Sequence, residues 1–210
     1  MSVIRQKPEA PLRRGWTTGA CATAAATAAY QALLTGSFPD PVIITLPRGQ
    51  EPSFSLKRKE LSKTQATVSI IKNAGDDPDI THGAEVVVTV ALKKNLTGIL
   101  FHAGKGVGTV TRPGLALDIG EAAINPGPRL MIKNALESLA KKYTNRDQSG
   151  INITISIPGG EAMAEKTMNG RLGIKGGLSV LGTTGIVIPY SCASWIHSIH
   201  RGIDVARAAD

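Results

Sequence analysis

Between Gly75 and Gly83 the chain places Asp76, Asp77, Asp79 and His82 within seven residues, with Pro78 and Thr81 among them. A turn needs only one or two of Gly, Pro, Asn or Asp to reverse the chain. Three carboxylates and an imidazole exceed that need, and loops held by a rigid scaffold are where catalysis tends to sit. Carboxylates and imidazoles carry protons, so these four are candidate catalytic groups, with Thr81 as a neighbouring binding residue. The same Asp side chains can instead bond their own backbone, and His82 can cap a strand. Carboxylate oxygens suit hard cations, but Pro78 breaks the run and no ordered ligand spacing is present, so no protein-bound metal is expected. His197 and His200 stand three apart without a third ligand nearby and read as a helix surface.

Two glycine-rich stretches follow, Gly104-Lys105-Gly106-Val107-Gly108-Thr109 and residues 170–185. Gly104, Gly106 and Gly108 can bring backbone amides up to a ligand's oxygens as a nest, with Thr109 beside them; Thr183-Thr184-Gly185 can do the same with two hydroxyls added. Tight β-turns are the plainer explanation of both. The first stretch is no dinucleotide fingerprint, because no helix pattern or ribose-binding acid follows it. Upstream, Gly15-Trp16-Thr17-Thr18-Gly19 opens an Ala-rich helix, which makes Thr17, Thr18 and Gly19 a candidate anion site.

Charge supports an anionic ligand. The net charge is +8, and from Val86 to Leu117 there are four basic residues (Lys93, Lys94, Lys105, Arg112) and no acid. From Lys166 to Ile203 there are again four (Lys166, Arg171, Lys175, Arg201) and no acid. Both windows contain the glycine-rich stretches, the pattern of a cleft that attracts an anion. Arg112, Arg129 and Arg171 are candidate carboxylate forks, since a guanidinium is a planar bidentate donor, and any one of them can equally be a surface or structural arginine. Nucleic acid is not the expected partner: aromatics make up 4% of the chain and are missing from these loops, and no zinc, helix-turn-helix or RNA-motif signature is present. A polycarboxylate or phosphate fits better, with a merely solvated basic surface as the bland alternative. No stretch of about 18 apolar residues exists, so no membrane span is expected. Residues 1–14 carry no signal-peptide core, and two distant cysteines suit a reduced, cytoplasmic protein.

The elements that must position these groups form an α+β pattern. A helix capped by Thr17 or Thr18 runs to Thr35, with Gly36 past its end. Strands are expected over 42–46, 53–58, 66–71, 85–92 and 98–102. A loop covers 113–128, and a helix runs from Pro128 to Tyr143 with Leu130, Met131, Ala135, Leu136 and Leu139 as its buried stripe. Strands follow at 151–157 and 185–188. Ser191 caps a last helix that reaches Asp210 with no stop signal. Strand, tight turn and helix open a βαβ unit that needs a second parallel strand. The expected division is a polar lead-in over 1–14, an α+β domain over 15–188, and the first helix of a truncated α/β domain over 189–210.

Arg14-Gly15-Trp16-Thr17-Thr18-Gly19-Ala20-Cys21-Ala22, the 75–83 turn and the run from Gly104 to Gly114 together resemble the cobalt-precorrin-5B C1-methyltransferase family. So do Ala123-Ile124-Asn125-Pro126, the run from Thr167 to Ile174, and Gly182-Thr183-Thr184-Gly185-Ile186-Val187. These matches run in order from about Arg13 onward and are long, which makes them specific where a lone Gly-x-Gly is not. The resemblance implies an S-adenosylmethionine-dependent enzyme of anaerobic cobalamin biosynthesis. Such an enzyme methylates C1 of a cobalt-bound, ring-contracted tetrapyrrole, cobalt-precorrin-5B, to give cobalt-precorrin-6A. It further implies a fold resembling ribosomal protein S5 domain 2, followed by an α/β domain, in chains longer than this one.

The implied substrate is a polycarboxylate cobalt-tetrapyrrole, which agrees with the basic windows and brings its own cobalt. Asn125 and Asn169 join the candidate binding residues through their motifs. Methyl transfer to an electron-rich ring carbon needs no protein nucleophile, so proximity, orientation and electrostatics are the protein's work. Two other classes remain open. A phosphate-transferring small-molecule kinase suits the fold but lacks a Walker lysine motif. A basic RNA-binding module rests on charge alone. β-branched edge strands are compatible with a homodimer.

Overall fold

The computed structural model describes residues 11–93, 98–143 and 150–209. Most of the lead-in, Lys94 and Asp210 lie outside the described residues. In chain order the elements are β1 (Gly15–Trp16), α1 (Thr18–Thr35), β2 (Val42–Ile43), β3 (Ser53–Phe54), β4 (Arg58–Leu61) and β5 (Gln65–Ile71). There follow β6 (Glu85–Leu92), β7 (Ile99–Ala103), β8 (Gly106–Val107), β9 (Thr109–Val110), α2 (Pro126–Tyr143) and β10 (Ile151–Ser156). The last are α3 (Gly160–Ala164), β11 (Ile174–Lys175), β12 (Gly177–Leu178), β13 (Ile186–Val187) and α4 (Cys192–Ala209). The architecture is mixed α+β.

The core is a five-stranded sheet in the order β4-β5-β6-β10-β7. Only the β10–β7 pair is parallel. Alternation sets its faces: Ile151, Ile153 and Ile155 of β10 are buried, while Asn152, Thr154 and Ser156 turn the other way. Ile153 pairs with Val90 and Val68 with Val88, so β-branched side chains meet across the ladder. α1 lies on β5 and β6, with α2 beside it. Its Ala-rich sequence explains how it is buried from Thr18 to Tyr30. Small side chains allow close approach from every side, and the hydroxyls of Thr23 and Thr27 bond back to Gly19 O and Thr23 O at 2.8 and 2.7 Å.

Several expectations need correction. The 42–46 strand keeps only Val42–Ile43 in a ladder, although Ile44 and Leu46 still donate to Pro52 O and Gln50 O across the hairpin. The 53–58 strand is two elements, because the chain leaves that hairpin at Phe54 and joins the edge of the main sheet at Arg58. α2 begins at Pro126, and Leu130 is exposed while Ile132 takes its place inside. The buried set Pro128, Met131, Ile132, Leu136 and Ala140 keeps the helical period, and position 130 falls on its far side. β13 pairs antiparallel with β1, Gly15 opposite Val187 and Trp16 opposite Ile186.

Candidate functional site

The 75–83 turn is a knot of three carboxylates, each holding a different segment. Asp76 accepts the Arg13 N–H at 2.6 Å and returns its own N–H to Arg13 O, while the Arg13 guanidinium lies 3.5 Å from its other oxygen. Asp77 accepts the Tyr190 N–H at 2.9 Å. Asp79 pairs with the ammonium of Lys72, a side chain 1% exposed, and its other oxygen accepts the Thr81 N–H and hydroxyl at 2.8 and 2.6 Å. Burial pushes the Asp79 carboxyl up, but Lys72 and Thr81 more than offset it and hold the group below the usual carboxylate range. A carboxylate held ionised in this way is a weak base. His82 is exposed, and its Nδ1 accepts the Ala74 N–H at 3.2 Å. That bond leaves the ring proton of the neutral form on Nε2, so His82 offers a donor outward. Sequence reasoning missed Lys72, whose neighbours in the strand pattern are apolar and whose spacing from Asp79 marks nothing.

The amino end of α1 is not an open anion site. Thr17, Thr18 and Gly19 are buried under the 181–185 loop. Gly19 N–H donates to Leu181 O at 3.0 Å, Thr17 N–H to Gly185 O at 3.0 Å, and Thr17 Oγ1 takes the Ala20 N–H at 3.1 Å. The glycine-rich stretches likewise face each other. β8 pairs with β12 in parallel, and β9 pairs with β11 antiparallel. A Cβ at Gly106 would overlap Ile157 O, and one at Gly160 or Gly177 would overlap Gly106 O. The Gly104 and Gly108 amides donate to Ile155 O and Leu178 O, both at 2.8 Å. These glycines answer to backbone packing rather than to a nest. Thr183 is exposed where residues 182–183 pass over Gly127, and Thr184 Oγ1 closes a local turn with Ile186.

Among the polar candidates, Arg129 and Asn169 are structural clasps. Arg129 donates to Ile124 O at 2.7 Å, Glu121 at 3.1 Å and Ala122 O at 3.2 Å, and stacks over Phe101. Buried Asn169 joins Gly177 O to Ser179, and Asn125 anchors Val180 O through its backbone N–H. What stays open is a basic ribbon. Lys105 immediately precedes β8, and Lys175 closes β11 opposite Thr109. Arg112 runs its stem past Gly173, and Arg171 lies two residues before that glycine. All four basic side chains are exposed, and among the described residues none has a carboxylate partner. A separate groove of about 860 Å³ lies between β7, the 116–121 loop and α2, lined by Phe101, Leu117, Arg129 and Lys133. Among the described residues no group of three or more His, Cys, Asp or Glu side chains could hold a metal, and no helix is long and apolar enough to cross a membrane.

The chain belongs to the CbiD family, which matches residues 5–189. It is 58% identical over 205 residues to the cobalt-precorrin-5B C(1)-methyltransferase of Brucella anthropi, across 98% of this chain and 55% of that protein. The protein of the same name from Brucella canis is 59% identical over 205 residues, across 97% and 55%. The crystal structure of the cobalamin biosynthesis protein CbiD from Archaeoglobus fulgidus aligns with a TM-score of 0.64 at 34% identity, covering 91% of this chain and 59% of that one. The chain spans about half the length of the curated relatives it matches.

Proposed function

We propose that this chain is the substrate-holding part of a cobalt-precorrin-5B C1-methyltransferase, which methylates C1 of that cobalt-tetrapyrrole with S-adenosylmethionine to give cobalt-precorrin-6A. The observation that carries the reading is the ribbon of Lys105, Arg112, Arg171 and Lys175, exposed and, among the described residues, without carboxylate partners. Exposed cations left unpaired in a chain of net charge +8 suit a ligand that supplies its own carboxylates. Arg112 and Arg171 grip acetate or propionate groups as forks, and Lys105 and Lys175 add point charge. Holding several carboxylates at once fixes the macrocycle's plane, which is the orientation that methylation of one ring carbon requires. The 75–83 turn ties Arg13, Lys72 and Tyr190 in place. No residue of the turn is needed as nucleophile.

The methyl donor fits the described residues poorly. The loops that would cradle it, at Gly104–Gly108 and at the start of α1, have amides bonded to carbonyls of the chain itself. In this reading residues 15–188 form a domain of the ribosomal protein S5 domain 2-like kind, and 189–210 open a following α/β domain. The support is that α1 packs on β5 and β6 with α2 beside it, while most of α4 is exposed. Free thiols at Cys21 and Cys192 suit a reduced cytoplasm.

Isothermal titration with a polycarboxylate cobalt corrinoid tests the reading, with S-adenosylhomocysteine titrated separately. The expected result is corrinoid binding that weakens at least tenfold in R112A/R171A and falls steeply with salt, while the variant's melting curve is unchanged. Binding that ignores both substitutions would overturn it. Stabilisation by ATP with magnesium would favour the kinase class instead.

A further inference from the structure

The two edges of the main sheet are finished differently. β4 carries Arg58, Lys59 and Glu60, and a charged edge strand resists pairing with another chain. β7, at the far edge, runs Ile99-Leu100-Phe101-His102-Ala103 without Lys, Arg, Asp, Glu or Pro. The ladder to β10 decides which of its groups are free. Ile151 N–H donates to Gly98 O at 3.1 Å and Gly104 N–H to Ile155 O at 2.8 Å, so the even-numbered residues of β7 face β10. Backbone polar groups alternate sides along a strand, so the N–H and C=O of Ile99, Phe101 and Ala103 point out from the sheet. Among the described residues these groups have no hydrogen-bond partner.

Apolar side chains border this open edge above and below. Ile99 and Phe101 share the inner face with Ile151 and Ile153 but are only half-buried, at the floor of the groove against α2. Leu100, 45% exposed, stands on the outer face, and Leu130 in the groove is 58% exposed. The acids of the groove are taken up locally: Glu121 pairs with Arg129 at 3.1 Å and Glu137 with Lys133 at 4.0 Å. The edge therefore suits an uncharged strand with apolar residues on both faces, and β7 is itself such a strand.

We infer that β7 pairs with β7 of a second copy of this chain, antiparallel about a two-fold axis at Phe101. Each Phe101 then gives its N–H to the other copy's C=O, and Ile99 lies opposite Ala103 of the partner subunit, so every outward group in the strand finds a bond. The two five-stranded sheets run on as one. Self-pairing is what β4 is built to avoid, because its like charges would meet across the axis.

Sedimentation at rising protein concentration, with amide hydrogen exchange read residue by residue, tests the pairing. The expected result is a reversible dimer in which the Ile99, Phe101 and Ala103 amides exchange slowly. Ala103→Pro removes one outward N–H at no cost to the ladder inside the sheet, and Leu100→Lys puts a charge on the edge. Each should weaken the dimer at least tenfold and release the Ile99 and Phe101 amides, while the His102 amide, which faces β10, stays protected. At a dilution where all are monomers, both variants should melt with the parent chain. A chain that stays monomeric would overturn the inference, as would edge amides that exchange freely in the dimer or stay protected in the monomer. So would a dimer that survives both substitutions and dissociates in Ile199→Asp/Ile203→Asp, which would move the contact to α4. Corrinoid binding is read on Lys105, Arg112, Arg171 and Lys175, so the two tests fail separately.

Discussion

The carboxylate of Asp77 accepts the backbone N–H of Tyr190 at 2.9 Å, joining positions 113 residues apart. Tyr190 has φ of 55°, a left-handed conformation rare for a residue with a side chain, and it sits between β13 and α4. Asp77→Ala removes the acceptor and should lower stability by about 1 kcal/mol, because the bond is charge-assisted but reaches solvent. Limited proteolysis should show faster cleavage near 188–192, and Asp77→Asn, which keeps an oxygen acceptor, should largely restore resistance.

Lys72 and Asp79 make the turn's tightest link, and Lys72 is among the largest fully buried side chains. Removing one partner of such a pair leaves a buried charge uncompensated, at about 3 kcal/mol or more. Asp79→Ala should therefore cut the urea midpoint sharply. The double variant Lys72→Met/Asp79→Leu should recover most of the loss, because an apolar pair needs no compensation.

The same pair sets an acid limit. The folded Asp79 carboxyl lies below its ordinary value, as does that of Glu85, held by Ser69 and Lys57. Their stabilisation is complete above the unfolded value of about 4 and is lost as pH falls through the folded value, where the unfolded chain already holds the extra protons. Urea midpoints should thus fall with pH below about 4. Asp79→Asn should flatten that slope, and an unchanged slope would remove Asp79 from the account.

Much of the fold was legible in the sequence because it rests on local signals. Thr17 caps α1 and Gly36 ends it in a left-handed conformation, as their types require. β5, β6 and β10 follow from alternating β-branched residues. The site was less legible, because chemistry-bearing residue types mark where polar groups are and not whom they bond. Asp76, Asp77 and Asp79 stand where the turn was expected, but their partners Arg13, Tyr190 and Lys72 are tertiary facts. Arg112 and Arg129 look alike in sequence. Only the three-dimensional course of residues 121–125 shows that Arg129 is occupied and Arg112 open.

The two cysteines should separate by reactivity. Cys21 is fully buried in α1, and burial, opposed by the nearby Lys72 ammonium, pushes its thiol up to about 12. Cys192 is exposed. An aromatic disulfide reagent at pH 8 should label one thiol per native chain and two in denaturant. Because the unfolded Cys21 ionises near 8.5 while the folded one does not, stability should also decline as pH rises above that value. Cys21→Ala should remove that part of the decline.

Gly106 and Gly176 both have positive φ, 78° and 82°, in the same glycine-rich layer. Their surroundings differ. A Cβ at Gly176 meets nothing within 4 Å, whereas one at Gly106 overlaps Ile157 O. Gly176→Ala should therefore lose only the conformational term, about 1 kcal/mol. Gly106→Ala must also push apart β8 and the segment after β10, a backbone clash with no flexible side chain to give way. It should lose more than about 3 kcal/mol or fail to fold. If the glycines served a ligand nest instead of packing, Gly106→Ala would fold normally and fail only in binding, so melting curves of the two variants decide between those roles.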